Sequence, residues 1–454
     1  MTKTIDRKWW VLIAIGAGSF MSAMDASIVN TILPVLREVF NSEVATIEWV
    51  VTVYLLVLSG LLLTFGRLGD LRGHRSTYVW GFAIFILSSA LCGAAWSTAS
   101  LVVFRGFQAI GGAMLASNSP AIVTGNFPAG QRGRAFGLVA TMTYLGLTAG
   151  PALGGGLTQA FGWRVVFYIN VPVGALALFL SLRFIPKDSP LQKRQPFDLP
   201  GAAIFLVFLT LLLLGLNKGA DWGWTSTTVL GLLFLSLILL VVFILYERQS
   251  PAPMLDLSLF RIPLFSTSVA SAVLNYICVY SITFLMPFYL IQGRGLNPAQ
   301  AGLILTVQPI VMAITAPLSG NLSDRIGSRI PGMLGMGVLS AGLFLLSNLE
   351  ASSRLWLVVV GLIMTGSGTG TFISPNTSAL MGAAPKPRQG IASGVLATAR
   401  NFGMVLGIGL AGAIFTTQLA KDLTDALYLG IGQGFLVASL VAILGVITSA
   451  IKDE

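Results

Sequence analysis

The stretch GRLGDLRGHR, residues 66–75, separates two long apolar runs in a chain of 454 residues. A second stretch with the same layout, GNLSDRIGSR, occupies residues 320–329. In both, an Asp follows the first Gly by four residues, and basic residues surround another Gly. Because the two copies fall at matching turns between apolar runs, the sequence predicts two related halves, each carrying one copy.

The composition indicates a membrane protein. Hydrophobic residues make up 55% of the chain and charged residues 10%, and the mean hydropathy is +0.84. A soluble protein of this length needs far more charge on its surface. Continuous apolar runs of about 18 residues or more, the length that crosses about 30 Å of hydrocarbon, recur from end to end. We therefore predict an all-α polytopic membrane protein rather than a barrel of alternating strands.

Several other classes of protein are disfavoured. The net charge of +10 is spread over short loops without an aromatic-interleaved patch, so we expect no nucleic-acid partner. Cys92 and Cys278 both fall inside apolar runs, which argues against a disulfide framework and a metal site. No P-loop or nucleophile motif is present in the sequence, so we expect neither an enzyme, nor a bound cofactor, nor ATP-driven transport.

Gly, Pro and charged residues divide the apolar runs into fourteen predicted spans. These are residues 10–33, 49–68, 78–96, 101–123, 137–161, 165–184, 201–216, 229–246, 265–291, 301–318, 331–349, 355–373, 391–417 and 430–451. We read the first run as a retained helix, because it is too long for a signal peptide and lacks a small-residue cleavage site. The predicted domains are an N-terminal six-helix bundle (1–185), linkers with two additional helices (186–262), and a C-terminal six-helix bundle (263–454).

The distribution of basic residues predicts the orientation. With both termini on one side, that side carries 19 of the 27 Lys and Arg residues and the opposite side six, while Arg105 and Arg400 fall inside predicted spans. Cytoplasmic loops carry an excess of Lys and Arg. We therefore predict a multi-pass protein of the cell (inner or cytoplasmic) membrane with both termini cytoplasmic.

Short motifs follow one another in order along the spans. They are Asp25 and Asn30 in MDASIVNTILP; Arg105, Gln108, Gly111 and Gly112 in RGFQAIGGA; Gly146, Gly150, Pro151, Gly154 and Gly155 in GLTAGPALGG; and the stretches WRVVFYINVPVG (163–174) and RQGIASGVLATARNFG (388–403). Together with residues 66–75, they resemble the major facilitator superfamily, and within it the fourteen-span drug:proton antiporter branch (EmrB/QacA-like multidrug efflux transporters). Ala109 departs from the Gly that this family often has there.

The resemblance implies a major facilitator fold, with two six-helix bundles plus two extra transmembrane helices. It also implies a conformational latch, formed by Gly66, Asp70, Arg72, Gly73, Arg75, Asp324 and Arg325, and an antiporter motif at Gly146–Gly155 that bends at Pro151 and helps to seal the cavity. An ordinary positively charged loop and generic helix packing are the alternatives for these two features. His74, the single histidine, is expected in water near the latch.

Asp25 is the candidate proton carrier. A charged carboxylate at the bilayer centre costs about 2.5–3.5 kcal/mol on insertion scales, so it should face a cavity or a partner rather than lipid. Desolvation favours the neutral form of a carboxyl group, which lets it take up a proton from the acidic outside. Arg105 is the expected electrostatic counterpart. The alternatives are a structural role for Asp25, through a hydrogen bond to a neighbouring helix, and snorkelling of Arg105 to the interface.

A substrate cavity is predicted from polar and aromatic residues at membrane depth. Its candidate lining residues are Asn30, Tyr54, Gln108, Tyr144, Asn275, Tyr276, Tyr280, Phe284, Gln308, Phe372, Asn376 and Arg400. Such linings suit flat apolar ligands, although helix packing or lipid contact is an equally good interpretation for each residue. With no carboxylate in the middle of the last six spans, the sequence favours a monovalent cation, a zwitterion or a neutral amphiphile; an anion held by Arg105 or Arg400 is also open.

We therefore predict a proton-coupled efflux antiporter that exports hydrophobic drugs or drug-like molecules by alternating access. The expected partners are an amphiphilic small-molecule substrate, protons and the lipid bilayer, and we expect a functional monomer. An exporter of a specific lipid, siderophore or other metabolite with the same fold is the alternative.

Overall fold

The computed structural model describes residues 6–188, 197–251, 253–419 and 426–451. Within these ranges, fourteen helices are long and apolar enough to cross a membrane. Spans 1–14 are Arg7–Val39, Trp49–Arg72, His74–Gly93, Thr98–Asn126, Ala129–Phe161, Val165–Phe184, Leu199–Leu216, Thr227–Gln249, Pro263–Gly293, Gln300–Ile326, Arg329–Ser347, Leu355–Ala383, Lys386–Leu419 and Ala426–Ala450. Lys3, Lys193, Arg194, Lys421 and Lys452, which enter the predicted charge distribution, lie outside the described residues.

The prediction of fourteen helical spans is confirmed, but several helices are longer than the apolar runs. Span 1 begins at Arg7 rather than at residue 10 and ends at Val39 rather than at residue 33. The helix of span 7 continues to Trp222. Backbone N–H and C=O groups need partners whatever the side chain is, so a helix continues into polar residues where hydropathy has already fallen.

Two bundles account for twelve of the spans. Spans 1–6 pack together around residues such as Ile28, Val50 and Phe167. Spans 9–14 pack around a separate apolar cluster that includes Ile282 and Leu343. The two bundles meet where span 5 packs against span 10, and where span 13 packs against spans 2 and 4.

Spans 7 and 8 form a helical pair on the outside of this junction. Span 7 packs against span 8, and also against span 2 of the first bundle and span 13 of the second. At one end, Lys218 Nζ lies 2.8 Å from Glu48 Oε2 at the start of span 2. At the other end, Asp198 accepts hydrogen bonds from the Gly201 N–H (2.9 Å) and from the Tyr246 hydroxyl of span 8 (3.1 Å). Span 7 therefore covers the groove where spans 2 and 13 meet.

The two repeated loops join the bundles through reciprocal helix caps. The Asp70 carboxylate accepts hydrogen bonds from the backbone N–H groups of Gly390 (2.7 Å) and Ile391 (2.8 Å) at the start of span 13. The Asp324 carboxylate accepts from Gly133 (2.8 Å) and Arg134 (2.9 Å) at the start of span 5. Each carboxylate thus lies on one bundle and satisfies unpaired N–H groups of the other, where the helix dipole also favours negative charge.

Glycine makes this contact possible. A Cβ atom on Gly66 would overlap the carbonyl oxygen of Gly390, and one on Gly133 would overlap that of Gly320. The backbones of the two bundles therefore touch directly at the end of the molecule where the caps lie. We call this end, defined by Asp70 and Asp324, the capped end.

The other predicted latch residues are placed differently. Arg75 and Ser76 donate their backbone N–H groups to Asp188 (both 3.0 Å), so this third carboxylate caps span 3 within the first bundle. Gly73 has a φ of 103°, which favours glycine, and it leaves room for the Asp188 carboxylate. The side chains of Arg72 and Arg325 are exposed.

His74 packs against the first bundle rather than lying in water. Its Nδ1 lies 2.9 Å from Asn118 Oδ1, its Nε2 lies 3.3 Å from Asp70 Oδ1, and 23% of its side chain is exposed. The expectation of a solvated His74 is therefore wrong, because span 4 supplies Asn118 to cover the ring.

The glycine stripe of span 5 packs against span 1. A Cβ atom on Gly150 would lie 2.6 Å from Ser27 Cβ, and one on Gly154 would lie 2.8 Å from Ile28 Cγ1. The Ser27 hydroxyl donates a hydrogen bond of 2.9 Å to the Leu147 carbonyl across the same contact. The stripe thus lets span 5 approach the segment of span 1 that carries Asp25.

We expect Gly150→Ala to lower the free energy of unfolding by about 1–3 kcal/mol, the usual cost of overpacking, because the new methyl group has no space beside Ser27. The matched control is Gly155→Ala on the same helix, where an added Cβ meets nothing within 4 Å. Thermal unfolding of both variants in detergent, followed by circular dichroism, measures the difference. Equal stability of the two variants would contradict the close packing of spans 1 and 5.

We expect Asp70→Asn to open the capped end more often, because loss of a charged helix cap costs about 0.5–2 kcal/mol. One spin label is placed on each bundle, at the exposed positions Gly130 and Lys386, and pulsed electron paramagnetic resonance measures the distance between them. Opening of the capped end appears as a larger population of long distances. Asp188→Asn is the control, since Asp188 makes the same kind of cap inside one bundle. A distance distribution unchanged by Asp70→Asn would show that the cap does not hold the bundles together.

Candidate functional site

A buried ion pair lies in the middle of the first bundle. Asp25 of span 1 is fully buried, and its Oδ2 lies 2.7 Å from Arg105 Nη1 of span 4. Its other oxygen, Oδ1, accepts hydrogen bonds from Gln108 Nε2 (3.0 Å) and from Asn170 Nδ2 of span 6 (2.7 Å). Three helices therefore converge on a single carboxylate.

Arg105 is held on several sides and is 1% exposed. Its Nε donates to the Val50 carbonyl of span 2 (3.3 Å), and its Nη1 donates also to Gln108 Oε1 (2.6 Å). Its Cζ lies 4.1 Å from the centre of the Tyr54 ring, within cation–π distance. Arg105 thus pairs with Asp25 inside the bundle, and it does not snorkel to the membrane interface.

Gln108 extends the network to span 3. Its Nε2 donates to Ser89 Oγ (2.6 Å), and the Cys92 thiol lies 3.8 Å from its Oε1. Gln108, Ser89 and Cys92 are all fully buried. We call the group Asp25, Arg105, Gln108, Asn170 and Ser89 the Asp25 network. Spans 1, 3, 4 and 6 supply the side chains of this network, and span 2 contacts Arg105 through the Val50 carbonyl and the Tyr54 ring.

The Asp25 network is electrically balanced only while Asp25 is ionised. Protonation of Asp25 would leave the Arg105 guanidinium as an uncompensated buried charge, and breaking a buried ion pair in this way costs about 3–5 kcal/mol. Asp25 and Arg105 therefore each require the charge of the other, and their contact holds spans 1 and 4 together.

Two members of the network were missed by sequence reasoning. Asn170 lies inside the quoted motif WRVVFYINVPVG, so a polar residue within this apolar run was a usable signal. Ser89 gave no signal, because serine is common in transmembrane helices and no motif includes it. Both reach the network through helix packing between distant parts of the chain.

A second charged group lies between the two bundles. Arg400 is exposed although it sits in the middle of span 13. Its Cζ lies 5.1 Å from the centre of the Tyr276 ring of span 9, and its charge interacts with the hydroxyl groups of Tyr280 and of Tyr144 in the opposite bundle. In the described part of the chain, no carboxylate forms an ion pair with Arg400. We call Arg400, Tyr144, Tyr276 and Tyr280 the Arg400 cluster.

The remaining candidate cavity residues make the following contacts. Tyr54 and Gln108 belong to the surroundings of Asp25. Asn275, Gln308, Phe372 and Asn376 are buried, with Asn275 Nδ2 3.4 Å from Met336 Sδ and Asn376 Nδ2 donating to the Ser268 carbonyl at 3.0 Å.

The last two candidates are Asn30 and Phe284. Asn30 is exposed near the end of span 1, and its amide donates to the Ala26 carbonyl of its own helix. The Phe284 ring packs against those of Phe288 and Phe415 within the second bundle. The structure therefore places Gln108 and Tyr54 with Asp25 and Arg105, and it places Tyr144, Tyr276 and Tyr280 with Arg400.

Comparison with known proteins identifies the family. The chain matches the family model described as Major Facilitator Superfamily over residues 15–407 and 268–452. It is 35% identical over 448 residues to "Riboflavin transporter RibZ" of Clostridioides difficile (strain 630), with 98% of this chain and 97% of that protein covered. It is 36% identical over 413 residues to "Multidrug resistance protein Stp" of Mycobacterium tuberculosis (strain ATCC 25618 / H37Rv), with 91% and 76% covered.

A solved structure supports the fold. The crystal structure of the human organic anion transporter MFSD10 (TETRAN) superposes with a TM-score of 0.70, covering 97% of this chain and 99% of that one. The sequence identity of 15% limits this likeness to the fold. With its fourteen spans, its two bundles and these relatives, the chain belongs to the major facilitator superfamily and is a multi-pass membrane transporter of that type.

Proposed function

We propose that this transporter is a proton-coupled antiporter that exports amphiphilic small molecules across the cytoplasmic membrane by alternating access, as members of the fourteen-span drug:proton antiporter branch do. The observation that carries the proposal is the Asp25 network. The fully buried carboxylate of span 1 contacts an arginine and an amide of span 4 and an amide of span 6, so a proton bound to it would alter the forces between these three spans.

The proton step involves a change of partner for Asp25. The proton adds to the carboxylate and weakens its attraction to Arg105. Asn170 can stabilise the protonated form, because an amide carries both a donor and an acceptor and its Oδ1 has no hydrogen-bond partner within the described residues. After rotation of this amide, Oδ1 accepts the new O–H group. Loss of the proton on the other side of the membrane restores the ion pair.

The conformational step involves the capped end. The halves 1–185 and 263–454 act as the moving bodies, and 186–262 joins them. With both termini cytoplasmic, as the charge distribution favours, the capped end is cytoplasmic, and the structure corresponds to a state closed to the cytoplasm. Rearrangement of spans 1 and 4 reaches the caps through span 5, whose glycine stripe packs on span 1 and whose first turn is capped by Asp324.

The relatives support two kinds of cargo. A relative named as a multidrug resistance protein favours export of varied drug-like molecules. A relative of almost equal length named as a riboflavin transporter favours the second candidate, an exporter of one specific metabolite. Both candidates require the same proton step.

We expect Asp25→Asn to abolish accumulation driven by a pH gradient, because the amide can neither bind nor release the proton. The measurement uses proteoliposomes with an acidic lumen and three fluorescent aromatic probes: rhodamine 123, riboflavin and fluorescein. The accumulated probe should fall at least about ten-fold, to the level of protein-free vesicles. Exchange of preloaded probe without a gradient should persist, because it needs alternating access but no net proton transfer.

Two further variants make the test specific. Glu48→Gln removes a carboxylate at the start of span 2 that pairs with Lys218, and we expect this variant to keep gradient-driven accumulation. Asp25→Glu keeps a titratable group at the site and should retain part of the activity. Full gradient-driven accumulation by Asp25→Asn, at equal protein content, would refute proton coupling through this residue.

A further inference from the structure

The Arg400 cluster has the chemistry of a binding site. Arg400 lies in the middle of a membrane-spanning helix, where a guanidinium facing lipid would be costly. Its neighbours are instead three tyrosines, of which Tyr276 and Tyr280 are on span 9 and Tyr144 is on span 5. Because these residues come from both bundles, the Arg400 cluster lies in the space where the two bundles face each other.

Tyr144 fixes the location of this space. Its side chain is 7% exposed and packs with Met312, Ala313 and Ala316 of span 10 and with Ile373 of span 12. It therefore lies on the surface along which the first bundle contacts the second. A molecule bound at the Arg400 cluster would touch both bundles, which is the position a transported ligand needs for alternating access.

The electrostatics of this space favour a negative ligand. The other arginine at membrane depth, Arg105, is neutralised by Asp25 at 2.7 Å. Arg400 has no carboxylate partner among the described residues. An exposed guanidinium without a counter-ion repels a cationic ligand and attracts an anionic one, and the attraction is stronger where surrounding protein lowers the local dielectric constant.

The tyrosines define the shape of the ligand. Their rings offer apolar faces for stacking against a planar aromatic group, and their hydroxyl groups can donate hydrogen bonds to an oxyanion. The guanidinium carries five N–H donors in a planar fork that matches carboxylate or phosphate geometry. Arg400 and the hydroxyl groups thus suit an acidic group, while the rings suit the body to which it is attached.

We propose that the Arg400 cluster is the central binding site and that it takes planar aromatic molecules bearing an anionic group. This inference rests on the proposed function for the direction of transport, but not for the binding itself. The sequence favours monovalent cations, zwitterions or neutral amphiphiles and leaves an anion open. It cannot show that Asp25 neutralises Arg105 while Arg400 has no carboxylate partner among the described residues.

Export of an anion in exchange for a proton would move net charge across the membrane. If one proton enters for each monovalent anion that leaves, two positive charges move inward per cycle. An inside-negative membrane potential would then drive export together with the pH gradient. Exchange of one proton for a monovalent cation would instead move no net charge.

Dye binding to the purified full-length protein in detergent tests the Arg400 cluster in the absence of a pH gradient. Fluorescein and rhodamine 123 share a xanthene ring system and differ in charge, and fluorescence anisotropy reports the affinity of each. We expect the anionic dye to bind at least about ten-fold more tightly than the cationic one. Arg400→Gln should weaken fluorescein binding by about ten-fold or more, the loss expected for a charge-assisted contact, while Arg400→Lys retains part of it.

Matched controls separate this site from the proton step. Arg354→Gln removes one positive charge from an exposed position at the start of span 12 and should leave both affinities unchanged. Asp25→Asn should still bind fluorescein, so failure of proton coupling and failure of this inference give different results. Tyr280→Phe, which removes one hydroxyl group and keeps the ring, should weaken fluorescein several-fold and provides a second test if Arg400→Gln does not fold. Equal affinity of the wild-type protein for the two dyes, or unchanged fluorescein affinity in Arg400→Gln, would overturn the proposal.

Discussion

The ion pair between Asp25 and Arg105 is the constraint around which the first bundle is organised. A lone carboxylate or guanidinium inside a membrane is costly, so each of these side chains requires the other at close range. Their contacts fix spans 1, 4 and 6 relative to one another, and the Val50 carbonyl and the Tyr54 ring bring in span 2. Packing of span 5 on span 1 through glycine then carries this arrangement to the junction with the second bundle.

The junction itself depends on backbone groups more than on side-chain pairs. Asp70 and Asp324 each accept two N–H groups from the first turn of a helix in the opposite bundle. Such a contact is made or lost as a unit when the bundles tilt, because the donors belong to rigid helix ends and have no rotamers to adapt. The sequence repeat thus becomes a structural symmetry in which the two bundles cap each other.

Charge is divided between two positions with different properties. Arg105 is buried, and the carboxylate of Asp25 neutralises its charge. Arg400 is exposed between the bundles, without a carboxylate partner in the described ranges, so it is available to a ligand. In the proposed mechanism, this separation keeps the proton site and the cargo site on different helices, and the tilt of the bundles couples them. Span 7 also takes part in the junction, because it contacts both span 2 and span 13.

The sequence by itself determined the number of spans, the two-fold repeat and the residues of greatest interest. These features depend on local hydropathy and on spacing along the chain, because the length of hydrocarbon to be crossed is fixed and a buried charge stands out in an apolar run. Only the tertiary structure decided which groups meet. Asp25 contacts Asn170 at a separation of 145 residues, and Asp70 contacts Gly390 at 320. Such pairings arise from the packing of whole helices. No local pattern in the sequence could therefore show that Ser89 joins the network, that Asn118 covers His74, or that Arg400 has no carboxylate partner among the described residues.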